Sequence, residues 1–111
     1  MYQYKVKVLN VVDGDTVDGI IDLGFNISFK MRFRLYGINT PEMHVATMDK
    51  AKLAKARVEG LLLNKECVAD TYKPDKYGRW LAAFTVVDSA GVSVNVNQTL
   101  VKEGLAVEYM L

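Results

Sequence analysis

Three short segments of the chain carry side chains that could act together on a phosphate ester. Asp15 lies in the segment DGDT, which has one more carboxylate than a tight turn needs. Asn39, Thr40 and Glu42 lie in the segment NTPE, and Arg79 ends the segment DKYGR. Each segment also has a simpler interpretation as a polar surface loop, because Asp, Asn, Gly and Pro are common turn residues.

The oxygen-bearing residues of the first two segments are of the types that bind a hard cation. Calcium prefers carboxylate, amide and backbone carbonyl oxygens. We therefore interpret Asp15, Asn39 and the Thr40 carbonyl as candidate calcium ligands, and Asp13 as the residue that supports the turn. Glu42 would then face the cation as a general base or as a group that positions water.

Two arginines are candidates for binding the substrate phosphate. Arg34 is the last cation on the polar face of an alternating segment, and Arg79 could reach across to the same phosphate. A guanidinium group is always charged and binds two phosphate oxygens at once. A dication withdraws charge from the phosphate, and two oriented arginines would stabilise the charge that accumulates in the transition state.

The elements that must position these residues are predicted mainly from alternation. Apolar residues that recur with a period of two indicate half-buried strands. This pattern predicts strands over 2–12, 16–23, 27–35, 67–72 and 80–87, and a short one over 92–94. Pro41 has no N–H group and is expected to stop strand pairing after the third strand.

Two helices are predicted between and after these strands. Helical spacing covers 46–63, and Asn64 lies where that helix would end. The predicted apolar face of this helix consists of Leu53, Ala56, Leu61 and Leu62. Asn95 or Asn97 could cap a short helix that ends at Gly104. Three strands, a helix and two strands are the element order of the OB-fold barrel, an α+β fold that is mainly β.

Length and composition restrict the alternatives. A chain of 111 residues is expected to form one domain over 1–111. The net charge of +1 does not by itself indicate nucleic acid, so any basic patch must be local. Cys67, the single cysteine, cannot form an internal disulfide. The first residues contain no unbroken apolar stretch, so we expect neither a signal peptide nor a membrane span. The protein is then expected to be cytoplasmic or of unknown compartment.

Taken in order, the motifs resemble those of one known family. The segments VVDGDTV, FRL followed by INTPE, and DKYGR are similar to the staphylococcal nuclease (thermonuclease) family, and VNVNQTLVKEGLA resembles its helix after the barrel. The resemblance extends over residues 5–109, almost the whole chain. It implies an OB-fold barrel, and the active enzymes of the family cleave DNA and RNA with calcium and leave 3′-phosphate ends.

The resemblance also implies a role for individual residues. Asp15 corresponds to the first metal-binding carboxylate of the family and Thr40 to its backbone-carbonyl ligand. Glu42 corresponds to the catalytic glutamate. Arg34 and Arg79 correspond to the two catalytic arginines.

Substrate contacts are implied for three further residues. Tyr77 matches a tyrosine that contacts bound nucleotide, Lys76 precedes it in the same loop, and Tyr109 matches a base-stacking tyrosine. Asn39 departs from the family, which has a second metal-binding aspartate at this position. Because calcium affinity depends on the number of charged ligands, we expect weaker calcium binding than in the two-aspartate form.

Several alternatives stay open from the sequence. The family type has a further helix beyond the segment that this sequence matches, and that helix covers apolar surface of the barrel. Without it, either a second copy of the chain in a homodimer would cover this surface, or the chain would pack differently. A catalytically silent module of the same fold could bind nucleic acid or protein. A plain single-strand binder would stack bases on Tyr36, Tyr72 and Tyr77. The survival of both arginines and both acidic residues favours the nuclease, with DNA as substrate and RNA left open.

Overall fold

The computed structural model describes residues 2–109 and consists mainly of β-strands. Its elements in chain order are β1 (Tyr2–Asp13), β2 (Thr16–Asp22), β3 (Ser28–Leu35), β4 (Ile38–Asn39), α1 (Met48–Leu62), β5 (Glu66–Pro74), β6 (Trp80–Val87), β7 (Ser93–Asn95), α2 (Val96–Lys102) and β8 (Val107–Glu108). The five long strands and β7 confirm the strands predicted from alternation. The short strands β4 and β8 were not predicted; they pair with each other beside the barrel.

The long strands form a closed barrel. The strand order in the sheet is β3-β2-β1-β5-β6-β7, and a parallel pairing of β3 with β6 closes it. The predicted α+β fold is therefore confirmed: a five-stranded OB-like barrel with one long helix between the third and fourth long strands and a short helix near the C-terminus. The core under the closing strands includes Phe33 and Phe84, whose rings meet edge to face with centroids 5.6 Å apart.

The buried face of α1 differs from the predicted one. Ala51, Ala54, Val58 and Leu62 are the buried residues of the helix. Leu53 and Ala56 are exposed, with 61% of Leu53 accessible, so the prediction was wrong for these two. The helix lies close enough to the barrel for small alanines to form the contact, which places the larger Leu53 on the outside. Asn64 follows the helix with a φ of 59°, as its position predicted.

Asn97 has a structural role that was not assigned from the sequence. Asn95, rather than Asn97, caps α2 by accepting a hydrogen bond from the backbone N–H of Gln98. The buried Asn97 side chain accepts from the N–H of Phe84 and donates to the carbonyls of Tyr36 and Ala82. It therefore ties α2 to β6 and to the segment that follows β3.

Among residues 2–109, the helices are too short or too polar to span a bilayer.

We expect Asn97→Ala to destabilise the protein by about 2–3 kcal/mol, because the substitution leaves the buried N–H of Phe84 without an acceptor. Asn95→Ala is the matched control, and loss of that helix cap costs about 1 kcal/mol. Urea denaturation followed by circular dichroism measures both. Equal losses in the two variants would show that the Asn97 bridge adds no more than an ordinary cap.

Candidate functional site

The turn between β1 and β2 carries the first group of predicted residues. The backbone N–H of Asp15 donates to Asp13 Oδ1 at 3.0 Å, so Asp13 supports the turn. The hydroxyl of Thr16 donates to Asp15 Oδ1 at 3.3 Å. Burial and the neighbouring Asp15 carboxylate raise the pKa of Asp13 above its usual value. The two carboxylates thus have different environments, and Asp15 is the one that extends towards the other loops.

Gly14 brings this turn close to the second group of residues. A Cβ atom at Gly14 would lie 2.9 Å from the Cβ atoms of both Thr40 and Ala54. The backbone N–H of Thr40 in turn donates to Asp15 Oδ2 at 3.3 Å. The position between the two aspartates is therefore glycine for a steric reason, because no side chain fits between the turn, the Thr40 segment and α1.

Arg34 is buried where β3 ends, with 10% of its side chain exposed. Pairing of Thr16 with Arg34 places it beside the first turn. Its Nη1 donates to the carbonyls of Leu35 and Ile38 at 3.4 and 3.3 Å.

The second terminal nitrogen of Arg34 joins the first two groups of predicted residues. Nη2 donates to Asn39 Oδ1 and lies 3.7 Å from Asp15 Oδ2. The side-chain oxygen of Asn39 therefore already accepts a hydrogen bond from a guanidinium group.

Arg79 lies in the loop between β5 and β6 and is more open, with 26% of its side chain exposed. Its Nε donates to Asp75 Oδ2 at 2.7 Å, and its Nη1 donates to the Thr16 hydroxyl at 3.4 Å. The guanidinium carbon lies 5.3 Å from the centroid of the Tyr77 ring, and Lys76 Nζ lies 5.2 Å from the same centroid.

These residues border a cleft of about 550 Å³. Six of the nine predicted site residues line it: Arg34, Asn39, Lys76, Tyr77, Arg79 and Tyr109. Tyr109 reaches it from the segment after β8, and its ring centroid lies 6.0 Å from the guanidinium carbon of Arg34. Asp15 and Thr40 do not line the cleft; Asp15 lies 3.7 Å from Arg34 Nη2 and accepts a hydrogen bond from the Thr40 N–H. Residues as far apart in the sequence as Arg34 and Tyr109 thus meet at one surface.

Glu42 lies apart from this arrangement. Its side chain is 87% exposed, and its carboxylate oxygen is 3.9 Å from His44 Nε2. The Glu42 carbonyl accepts from the Thr47 hydroxyl at 2.6 Å, which ties the loop to the start of α1. Within residues 2–109, the cleft wall described above does not include Glu42.

Other residues that line the cleft were not predicted as site residues. Lys73 adds a cation and Leu81 an apolar surface, while Asp75 holds Arg79. The spacing of Asp75, Gly78 and Arg79 was visible in the sequence as an Asp-x-x-Gly turn. This spacing does not indicate that the Asp75 carboxylate also accepts a hydrogen bond from the Arg79 side chain.

The oxygens near Arg34 suit a hard cation in type but carry little charge. Asp15 contributes one carboxylate, while Asn39 and the Thr40 carbonyl are neutral. Within the described part of the chain, no group of three or more His, Cys, Asp or Glu side chains is arranged to hold a metal ion. A cation here would therefore depend on amide and backbone oxygens, which calcium accepts.

Comparison with known proteins shows the family to which the chain belongs. The family model described as "Staphylococcal nuclease homologue" matches residues 32–111. Protein ParB of Escherichia coli is 30% identical over 96% of this chain and 58% of its own length. An uncharacterized protein of Methanocaldococcus jannaschii is 31% identical over 96% of this chain and 60% of its own length. The chain thus spans about three fifths of the length of these two relatives.

We expect Gly14→Ala to destabilise the protein by about 1–3 kcal/mol, because the added methyl group must displace Thr40 or α1. Gly60→Ala, at a helical position where a Cβ meets no atom within 4 Å, should instead stabilise by about 0.5–1 kcal/mol. Thermal and urea unfolding of both variants measure the difference. A neutral Gly14→Ala would mean that the two loops are not in close contact.

Proposed function

Because the chain belongs to the staphylococcal nuclease homologue family, we propose that it is a calcium-dependent nuclease that hydrolyses phosphodiester bonds of DNA. Membership of this family indicates a function on nucleic acid. The observation that supports hydrolysis is the cleft lined by two arginines from separate parts of the chain, of which Arg34 lies 3.7 Å from the Asp15 carboxylate and donates to the Asn39 amide oxygen.

The phosphate would bind at Arg79. Its Nε is occupied by Asp75, which leaves terminal N–H groups for two phosphate oxygens. Tyr77, 71% exposed beside it, offers a ring face to the adjacent sugar or base. Arg34 would contribute mainly through its charge, because the protein already accepts three hydrogen bonds from its terminal nitrogens.

The cation would bind at Asp15, the Thr40 carbonyl and Asn39. When bound, calcium supplies a positive charge that polarises a phosphate oxygen. Asp15 is held in place by Thr40 N–H and by the Arg34 guanidinium, so the carboxylate is oriented before any ligand arrives. The positive charge of Arg34 would compete with a cation for the oxygens of Asp15 and Asn39. The two ligands would then contribute unequally to cation binding, because only Asp15 carries a negative charge.

Glu42 is proposed as the group that orients or deprotonates the attacking water. The water oxygen would bond to phosphorus as its proton passes to Glu42, and the P–O5′ bond would break. The leaving O5′ would take a proton from solvent and become a 5′-hydroxyl, while the other product strand would keep a 3′-phosphate. The exposed Glu42 side chain lies on the segment between β4 and α1. Its segment must bring the carboxylate towards the cleft when substrate is bound.

A second function is supported by the position of Glu42. Since this carboxylate lies outside the cleft wall and Asn39 replaces a charged ligand, the chain could bind nucleic acid without cleaving it. The cleft would serve such a module equally well, because Lys73, Lys76 and Arg79 would bind a phosphate backbone without a metal ion.

We expect calcium-dependent release of acid-soluble nucleotides from single-stranded DNA, abolished by excess chelator. Arg79→Ala should lower the rate about 10²–10³-fold, as for loss of a group that stabilises transition-state charge. Glu42→Gln should lower it about 10²–10⁴-fold, as for loss of a general base. Folding is checked by circular dichroism and DNA binding by fluorescence anisotropy. A folded protein that binds DNA but releases nothing at any calcium concentration would support the silent module instead.

We expect Asn39→Asp to tighten calcium binding by about tenfold, because it adds a charged ligand while an oxygen remains available to Arg34. Isothermal titration with calcium measures the change, and Asn39→Ala, which loses the oxygen, should weaken it. Unchanged or looser binding in Asn39→Asp would contradict a direct role of this position in holding the cation.

A further inference from the structure

Two loops of the protein have the same backbone hydrogen bonds. One runs from Asp75 to Arg79 between β5 and β6, and the other from Asp88 to Val92 between β6 and β7. In each, the aspartate N–H donates to the carbonyl of the fifth residue, at 2.7 and 2.9 Å. In each, the fourth residue is a glycine with φ near +80° whose N–H donates back to the aspartate carbonyl.

The aspartate side chain also completes both turns in the same way. Asp75 Oδ1 accepts from the N–H groups of Tyr77 and Arg79, both at 2.9 Å. Asp88 Oδ1 accepts from those of Ala90 and Val92, also at 2.9 Å. One carboxylate oxygen is therefore sufficient for the turn, and the second oxygen is not needed for it.

The loops differ in what the second oxygen does. In the first loop the fifth residue is Arg79, and its Nε donates to Asp75 Oδ2 at 2.7 Å. In the second loop the fifth residue is Val92, which has no donor on its side chain. Asp75 has 11% of its side chain exposed and lies in the cleft wall, whereas Asp88 is exposed.

This contact fixes the plane of the Arg79 guanidinium group. With Nε bound to Asp75 and Nη1 near the Thr16 hydroxyl, the group is held along two sides and its remaining N–H donors are left for a ligand in the cleft. An arginine side chain otherwise has many rotamers, and ordering them in advance lowers the cost of binding an anion.

We propose that Asp75 is a positioning residue whose Oδ2 orients Arg79 towards the bound phosphodiester. This role rests on the proposed function, because it gives Arg79 a phosphate to bind. Burial of Asp75 opposes its ionisation, but hydrogen bonds from the Arg79 and Tyr77 N–H groups and the charge of Arg79 outweigh it and lower the pKa of Asp75. The carboxylate is therefore ionised at neutral pH.

The test compares Asp75→Asn with Asp88→Asn. Both variants keep an Oδ1 acceptor for the turn, but only Asp75→Asn replaces the oxygen that faces Arg79 Nε with an NH₂ group. The first measurement is the Nε–H signal of Arg79 by ¹H–¹⁵N NMR, assigned by its absence in Arg79→Lys. We expect Asp75→Asn to shift it and to speed its exchange with water, and Asp88→Asn to leave it unchanged. An unmoved signal in Asp75→Asn overturns the proposal.

The second measurement is kcat on single-stranded DNA with calcium. We expect a loss of about tenfold to a hundredfold in Asp75→Asn and none in Asp88→Asn. Because Asp75 acts through Arg79, Asp75→Asn combined with Arg79→Ala should be no slower than Arg79→Ala alone. Losses that multiply in the double variant overturn the positioning role. A wild-type protein without hydrolysis overturns the proposed function, while the NMR comparison still decides whether Asp75 orients Arg79.

Discussion

The burial of the Arg34 guanidinium is the constraint from which the arrangement of the first two loops follows. A charge taken out of water is tolerated only when its donors are paired. Here the partners are the carbonyls of Leu35 and Ile38, the Asn39 side chain and the nearby Asp15 carboxylate. The chain must therefore fold back directly after β3, and the turn between β1 and β2 must lie against it. One side chain thereby sets the distance between the two loops.

The two arginines of the cleft consequently have different physical characters. Arg34 is enclosed, and the hydrogen bonds of its terminal nitrogens are accepted by the protein, so it organises oxygens and contributes a fixed positive potential. Arg79 is partly exposed and is held by Asp75 at Nε and by Thr16 at Nη1, and its remaining N–H groups stay available to a ligand. In the hydrolysis proposed above, preorganised charge and open donors would both stabilise a phosphate that gains charge, and the cleft would divide these tasks between two residues.

The sequence predicted the barrel well because alternation depends on local geometry alone. Burial alternates with a period of two over most of β1, β2, β5 and β6, whereas three consecutive residues are buried at the end of β3. The predicted face of α1 was right at Leu62 but wrong at Leu53 and Ala56, because the buried positions include the small residues Ala51 and Ala54. A small residue is needed at Ala54 because α1 approaches the turn at Gly14 closely there, and such a distance is a property of the packed barrel rather than of the helix sequence.

The site could be predicted in its residue types but not in its connections. The hydrogen bond from Arg34 to the Asn39 side-chain oxygen depends on the fold of the segment after β3. The proximity of the two arginines depends on barrel closure, in which Phe33 pairs with Trp80, the neighbours of Arg34 and Arg79. Their spacing is therefore fixed by strands over a packed core. Glu42 has no such support, since it lies on the exposed segment before α1. The two arginines are thus held by the barrel itself, whereas Glu42 is held only by the loop that joins β4 to α1.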